Sequence, residues 1–152
     1  MFSGNDNLID QVTKQRAFVR AVAVVGLGLS IVLVDQLTKF WAQTQGFVVI
    51  NRGVALGLAG EYIHIKTLMI VAGLILAWMS GRAIWPRLPV ATGLFWGGAA
   101  ANLIDRYWFA GVRDWIPVPM LALKNNLADW SIGVGLVIIL TVLLKRSPRG
   151  SE

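Results

Sequence analysis

The chain has 152 residues, 56% of them hydrophobic and 14% charged, with a net charge of +6 and no cysteine. Soluble domains carry nearer a quarter charged residues, so this balance points to lipid as the main surroundings. The missing cysteines exclude disulfides, thiolate metal sites and cysteine nucleophiles. A single histidine, His64, argues against a His-based triad or a zinc site, which leaves catalysis to carboxylates, hydroxyls, lysines or backbone groups. No basic run or aromatic-basic interleaving accompanies the positive charge. It fits a positive-inside membrane protein better than a nucleic-acid partner.

In chain order, a polar and mobile tail is expected over residues 1–14, followed by an apolar span at 17–34. Asp35-Gln36-Leu37-Thr38-Lys39 follows that span in place of a small-residue cleavage site, so the span is not a signal peptide. The next segment, residues 40–66, holds short strand material at 46–50, with glycines 53, 57 and 60 marking turns. A second span covers 67–85 and, after a short turn, a third covers 88–104. Residues 107–126 are rich in Trp, Phe, Pro and Leu, which predicts a loop lying on the headgroup boundary. The fourth span covers 127–144, and a mobile tail over 147–152 ends the chain. Each span is 17 to 19 residues, about 26–29 Å of helix, which matches the hydrocarbon thickness. The fold class expected is therefore an all-α membrane protein. It has four transmembrane helices, a small extracytoplasmic β element and an interfacial loop or helix, all in one integral domain.

Lysines and arginines set the orientation. Eight lie on the side of the two termini and six on the other, so both termini are expected in the cytoplasm. Five of the eight acids, Asp35, Glu61, Asp105, Asp114 and Asp129, then gather at the outer membrane edge. Ionisable groups near membrane depth are costly, and their convergence suggests function.

Asp114 and Asp129 are one candidate pair, since two nearby carboxylates sharing a proton can activate water and protonate a leaving amine. The plainer alternative makes Asp114 a turn residue and Asp129 a helix N-terminal residue favoured by the dipole. Asp105, with Asn102 one turn back and Arg106 beside it, competes as the partner of Asp129, or else forms an ion pair. The residues alone leave that choice open. Asn102-Leu103-Ile104-Asp105 is echoed by Asn126-Leu127-Ala128-Asp129, and an Asn three residues before an Asp can orient its carboxylate. Asp35 and Lys39, four apart, would mainly satisfy each other. The run Gly97-Gly98-Ala99-Ala100-Ala101 suits close helix packing. A Ser–Lys pair from Ser131 and Lys124 is a poor fit, because Lys124 belongs to a loop.

These motifs, in this order, resemble the lipoprotein signal peptidase (signal peptidase II) family. Asp35 to Lys39 is similar to its D-Q-x-[TS]-K box, and Asn51-Arg52-Gly53-Val54-Ala55 to its N-x-G-x-A box. Gly97 to Arg106 resembles G-G-A-x-G-N-x-x-D-R, Val112-Arg113-Asp114-Trp115-Ile116 resembles V-x-D-F-I, and Asn126 to Asp129 resembles F-N-x-A-D. The chain departs from the pattern at Ala101, at Asn125 and in a short 114–129 stretch, which bears on loop shape and substrate fit.

The resemblance implies an aspartyl protease with Asp114 and Asp129 as the catalytic dyad. It also implies that Asp35, Lys39, Asn51, Gly53, Asn102, Asp105, Arg106 and Asn126 bind substrate or brace the site. The substrate would be a prolipoprotein cut before its diacylglyceryl-modified cysteine, at the outer face of a bacterial inner membrane, by a monomer among membrane lipids. Asp129, at a helix N-terminus, would be the base and Asp114 the protonated partner. No metal or organic cofactor is expected. The alternative function is a small four-span proton-coupled transporter, which would want a carboxylate near the middle of a span.

Overall fold

The computed structural model describes residues 3–52, 71, 74, 75, 77, 78, 85–121 and 123–146. Helix α1 runs Ser3–Thr44, 42 residues, or about 63 Å at the usual rise. The expected span 17–34 is thus the apolar middle of a much longer rod, and the expected mobile tail is helical from Ser3 onward. No proline interrupts this stretch, and the Thr13, Ser30 and Thr38 hydroxyls donate to carbonyls one turn back without breaking it. Gly46, with φ of 72°, takes the left-handed conformation that ends the helix, and Phe47 N donates back to Ala42 O at 3.0 Å.

After a 3-10 turn at Trp85–Arg87, helix α2 spans Pro89–Phe109. Its opening proline fits a position whose N–H would lack a helical partner anyway. Helix α3 spans Leu127–Arg146. The expected third span thus extends five residues beyond 104, and the fourth agrees closely with its expected bounds. The expected second span, 67–85, lies largely outside the described residues, although Val71, Leu74, Ile75, Ala77 and Trp78 are helical. Among the described residues two segments, Asn7–Thr44 and Leu127–Lys145, are long and apolar enough to cross a bilayer. They expose Phe18, Val22, Val25, Leu29, Val137, Leu140 and Leu144, apolar faces of the kind lipid covers.

Helix α2 has the length of a span but not that hydropathy, because it packs between α1 and α3 and is built from small residues. A Cβ at Gly97 would lie 2.8 Å from Gly28 Cα of α1, while one at Gly98 would collide with Ala128 O of α3. The glycine run is therefore what lets three backbones approach so closely. Helices α1 and α2 run parallel and α3 antiparallel, so Gly135 of α3 lies against Ala91 and Phe95 near the start of α2. There Trp85, Ala91, Phe95 and Ile139 form a buried apolar cluster, with Trp85 and Phe95 stacked at 5.8 Å.

At the other end of the helices the connecting chain forms strands. β1 (Val49–Asn51) pairs antiparallel with β2 (Val112–Asp114), in the register Val49↔Asp114, Ile50↔Arg113 and Asn51↔Val112. β3 (Ile116–Val118) pairs with β4 (Leu123–Asn125). The expected β element at 46–50 is shifted slightly along the chain. The expected interfacial loop holds three short strands, because Val112, Ile116 and Val118 are β-branched and find partners. Met120, fully exposed and with φ of 64°, turns this second hairpin.

Candidate active site

Three helix ends and the β1–β2 pair meet at the polar end of the molecule. The C-terminal turns of α1 contribute Asp35, Gln36 and Lys39, and the last turns of α2 contribute Asn102, Asp105 and Arg106. Asn126 and Asp129 come from the start of α3, Asp114 ends β2 and Asn51 ends β1. All nine predicted residues within the described part are brought together here. Gly53 lies outside it.

The start of α3 leaves backbone N–H groups without helical acceptors. Asn126 Oδ1 accepts from Asp129 N at 2.9 Å, and Asp35 Oδ1, reaching across from α1, accepts from Ala128 N at 2.8 Å. Because its oxygen is committed to the helix, the Asn126 amide nitrogen faces the other way. It donates to Asp114 Oδ1 at 2.6 Å and to Asp129 Oδ2 at 3.0 Å. One buried amide therefore joins the two carboxylates.

Each carboxylate has a further neutral donor. Asn102 Nδ2 gives to Asp129 Oδ1 at 2.6 Å, and Asn51 Nδ2 gives to Asp114 Oδ2 at 2.9 Å. Asn51 reaches Asp114 as a diagonal cross-strand neighbour, on the same face of the β1–β2 pair. Asn102 is oriented in turn by Lys39, whose ammonium donates to its Oδ1 at 3.1 Å. Fully buried, Lys39 also pairs with Asp35 at 2.7 Å and Asp105 at 3.1 Å, which uses its three donors. The Asp35–Lys39 pair does satisfy itself, as its spacing suggested, but it also holds the α3 terminus and Asn102.

Asp105 is differently placed. It accepts from Arg113 Nη2 at 2.8 Å, Arg113 N at 2.9 Å and Gln36 Nε2 at 3.0 Å, besides Lys39. Two cations and two neutral donors occupy its oxygens, so it has little capacity left for a water or a substrate. The ion pair expected for Asp105 exists, with Lys39 and Arg113 as its partners. Arg106 instead donates to Asn102 O at 3.2 Å. The N-L-x-D echo holds for Asn126 and Asp129 but not for Asn102, which serves Asp129 of the neighbouring helix. On the last two turns of α2, the Asn102 amide nitrogen faces α3 while Asp105 faces α1 and β2.

Asp114 is 2% exposed. Burial pushes its carboxyl above the ordinary range, although the Asn126 and Asn51 hydrogen bonds and the Lys39 and Arg106 charges pull the other way. The arrangement can hold one proton between an enclosed carboxyl and a half-buried one. Ser131 donates to Leu94 O and Lys124 to Phe47 O, so those two residues are engaged at separate places.

Gln36, Gln43 and Arg113 were not singled out by sequence. Gln36 and Arg113 stood inside motifs without an assigned role, and the one available signal was a basic residue directly before the candidate Asp114.

Two solved bacterial membrane enzymes, obtained by the in meso method at 2.3 Å and 1.9 Å, share this fold with TM-scores of 0.65 and 0.60. The first is 25% identical and covers 85% of this chain and 92% of its own. Fold and apolar helices thus group the chain with bacterial membrane enzymes. The family model for signal peptidase (SPase) II matches residues 27–145. The lipoprotein signal peptidase of Syntrophomonas wolfei is 30% identical, over 83% of this chain and 97% of its own. That of Methylorubrum extorquens is 32% identical, over 80% and 85% respectively. The chain belongs to the signal peptidase II family, and it is a protease.

Proposed function

We propose that the chain is an aspartyl endopeptidase whose catalytic pair is Asp114 and Asp129. As a signal peptidase II it removes signal peptides from prolipoproteins. The observation that carries the assignment of the pair is the Asn126 amide, bonded at once to Asp114 Oδ1 and Asp129 Oδ2. Two carboxylates this close resist double ionisation and share a proton. The enclosed Asp114, its pKa raised by burial, is the better holder of that proton. Asp129, in the first turn of α3, gains from the helix dipole when ionised. Asp129 then takes a proton from water as the water oxygen attacks the scissile carbonyl, and Asp114 supplies a proton toward the departing amine. Arg106 lies close enough to stabilise charge around the pair.

The bond cut is the one before a diacylglyceryl-modified cysteine, with the lipid chains among the helices and the peptide across their polar end. That end faces outward from a bacterial inner membrane in a four-span, monomeric chain with both termini in the cytoplasm. The parallel α1 and α2 and the antiparallel α3 support this topology, and the Lys and Arg distribution supports its direction. The test uses purified protein in detergent with a lipidated prolipoprotein. Asp114→Asn and Asp129→Asn should each lower signal-peptide release by roughly a thousandfold or more, with the fold retained. Near-normal release from Asp114→Asn, with loss in Asp105→Asn, would move the pair elsewhere.

A further inference from the structure

We propose that Arg113 is a positioning residue that fixes Asp114 relative to Asp129 by locking β2 to the ends of α1 and α2. The inference rests on the catalytic pair proposed above. β2 is three residues long and belongs to a two-stranded ribbon, an element too small to hold a side chain firmly by itself. Adjacent residues on a strand project to opposite faces, so Arg113 points away from the pair while Asp114 points toward it.

Arg113 is 4% exposed, a depth at which a guanidinium must be partnered. Its Nη2 donates to Asp105 Oδ1 at 2.8 Å and Gln36 Oε1 at 2.7 Å, and its Nη1 to Gln43 Oε1 at 3.3 Å. The Phe109 ring covers the guanidinium face at 4.0 Å from its centroid. Asp105 grips the same residue a second time, accepting from its backbone N–H at 2.9 Å. Main chain and side chain of one residue are thereby tied to one carboxylate, and the next residue along is Asp114. Asp105 also pairs with Lys39, which orients Asn102 toward Asp129. A single anchor thus serves the supports of both carboxylates, and Arg113 is its link to Asp114.

Arg113→Met is expected to lower kcat by roughly 10- to 100-fold, the scale of a displacement near 1 Å in a reacting group. KM should stay within about twofold, because no substrate contact is removed. The pH–rate profile should shift as well, since Asp114 would change its distance from the groups that face it, Asp129 on α3, Lys39 on α1 and Arg106 on α2. Arg113→Lys keeps the charge but loses the fork and the ring contact, and should recover part of kcat. If Arg113→Met does not fold, Arg113→Lys and Gln43→Leu carry the test, each with a smaller kcat loss and a shifted profile.

An unchanged kcat and profile in these variants would overturn the proposal. So would a fall in kcat matched by lost thermal stability with no shift in profile, which marks a purely structural part. Asp114→Asn, assayed in parallel, separates the two levels. Activity in that variant sinks the catalytic pair itself, whereas its loss beside wild-type-like Arg113→Met sinks only the role of Arg113.

Discussion

Helix α2 has two ends of opposite character. Its first half packs Ala91, Phe95 and neighbouring tryptophans into an apolar cluster, where contacts are non-directional and the chain needs only to fill space. Its last two turns carry Asn102, Asp105 and Arg106, where every bond has a direction and an unpaired group is costly. The same polypeptide is thus fastened by packing at one end and by a polar network at the other. Within the network a second contrast appears. Asp105 is held by two cations, whereas Asp114 is held by two neutral amides, and that difference supports a structural part for Asp105 and the proposed catalytic part for Asp114.

The sharpest way to break this picture is at Asp105. Asp105→Asn leaves the buried Lys39 and Arg113 short of a counter-ion and should cost about 3–5 kcal/mol, read as a lower Tm together with lost activity. Asp114→Asn, at the end of β2, replaces a carboxyl whose ionised form burial disfavours but leaves one asparagine donor facing an amide. Those effects offset, and its stability should stay within about 1 kcal/mol of wild type. The sign for Asp114 follows from its raised pKa. Between the ordinary carboxylate value and that raised value the folded chain keeps a proton that the unfolded chain has lost, so stability falls as pH rises through the window. Activity that needs the proton on Asp114 should fall as pH rises through the raised value, and Asp114→Asn should abolish the stability part of that dependence.

At the apolar end the effects should be reversed. Phe95→Ala removes the ring stacked on Trp85 and should cost about 3 kcal/mol, with kcat and KM of the folded fraction unchanged. A loss of kcat there would mean that the two ends are coupled. The smallest effect belongs to Lys14→Ala. It breaks the 2.6 Å pair with Asp10, both side chains being largely exposed, and should move stability by a few tenths of a kcal/mol.

Much of this was legible in the sequence because hydropathy and motif order report directly on helices and on which residues meet. The courses of helices α2 and α3 and the glycine packing were readable, since hydropathy and side-chain size carry them. The extent of α1 was not, because a polar segment without helix breakers can be tail or helix, and nothing local decides. Composition and spacing by themselves did not separate Asp105 from Asp114; only the motif resemblance favoured Asp114. Both are acids near the same boundary, and what separates them is Arg113 and Lys39, which arrive from different elements. The role of Arg113 was hidden for the same reason: its partners Gln36, Gln43 and Asp105 belong to other elements.

The unbroken course of α1 has a mechanical consequence. A kinked or jointed helix could answer a thicker bilayer by flexing at its joint, but this one can only tilt as a whole. Through Lys39 and Asp35 it is pinned to α2 and to the first turn of α3, so any tilt must carry all three together. Membrane thickness would then change the height at which Asp114 and Asp129 ride without altering the spacing between them.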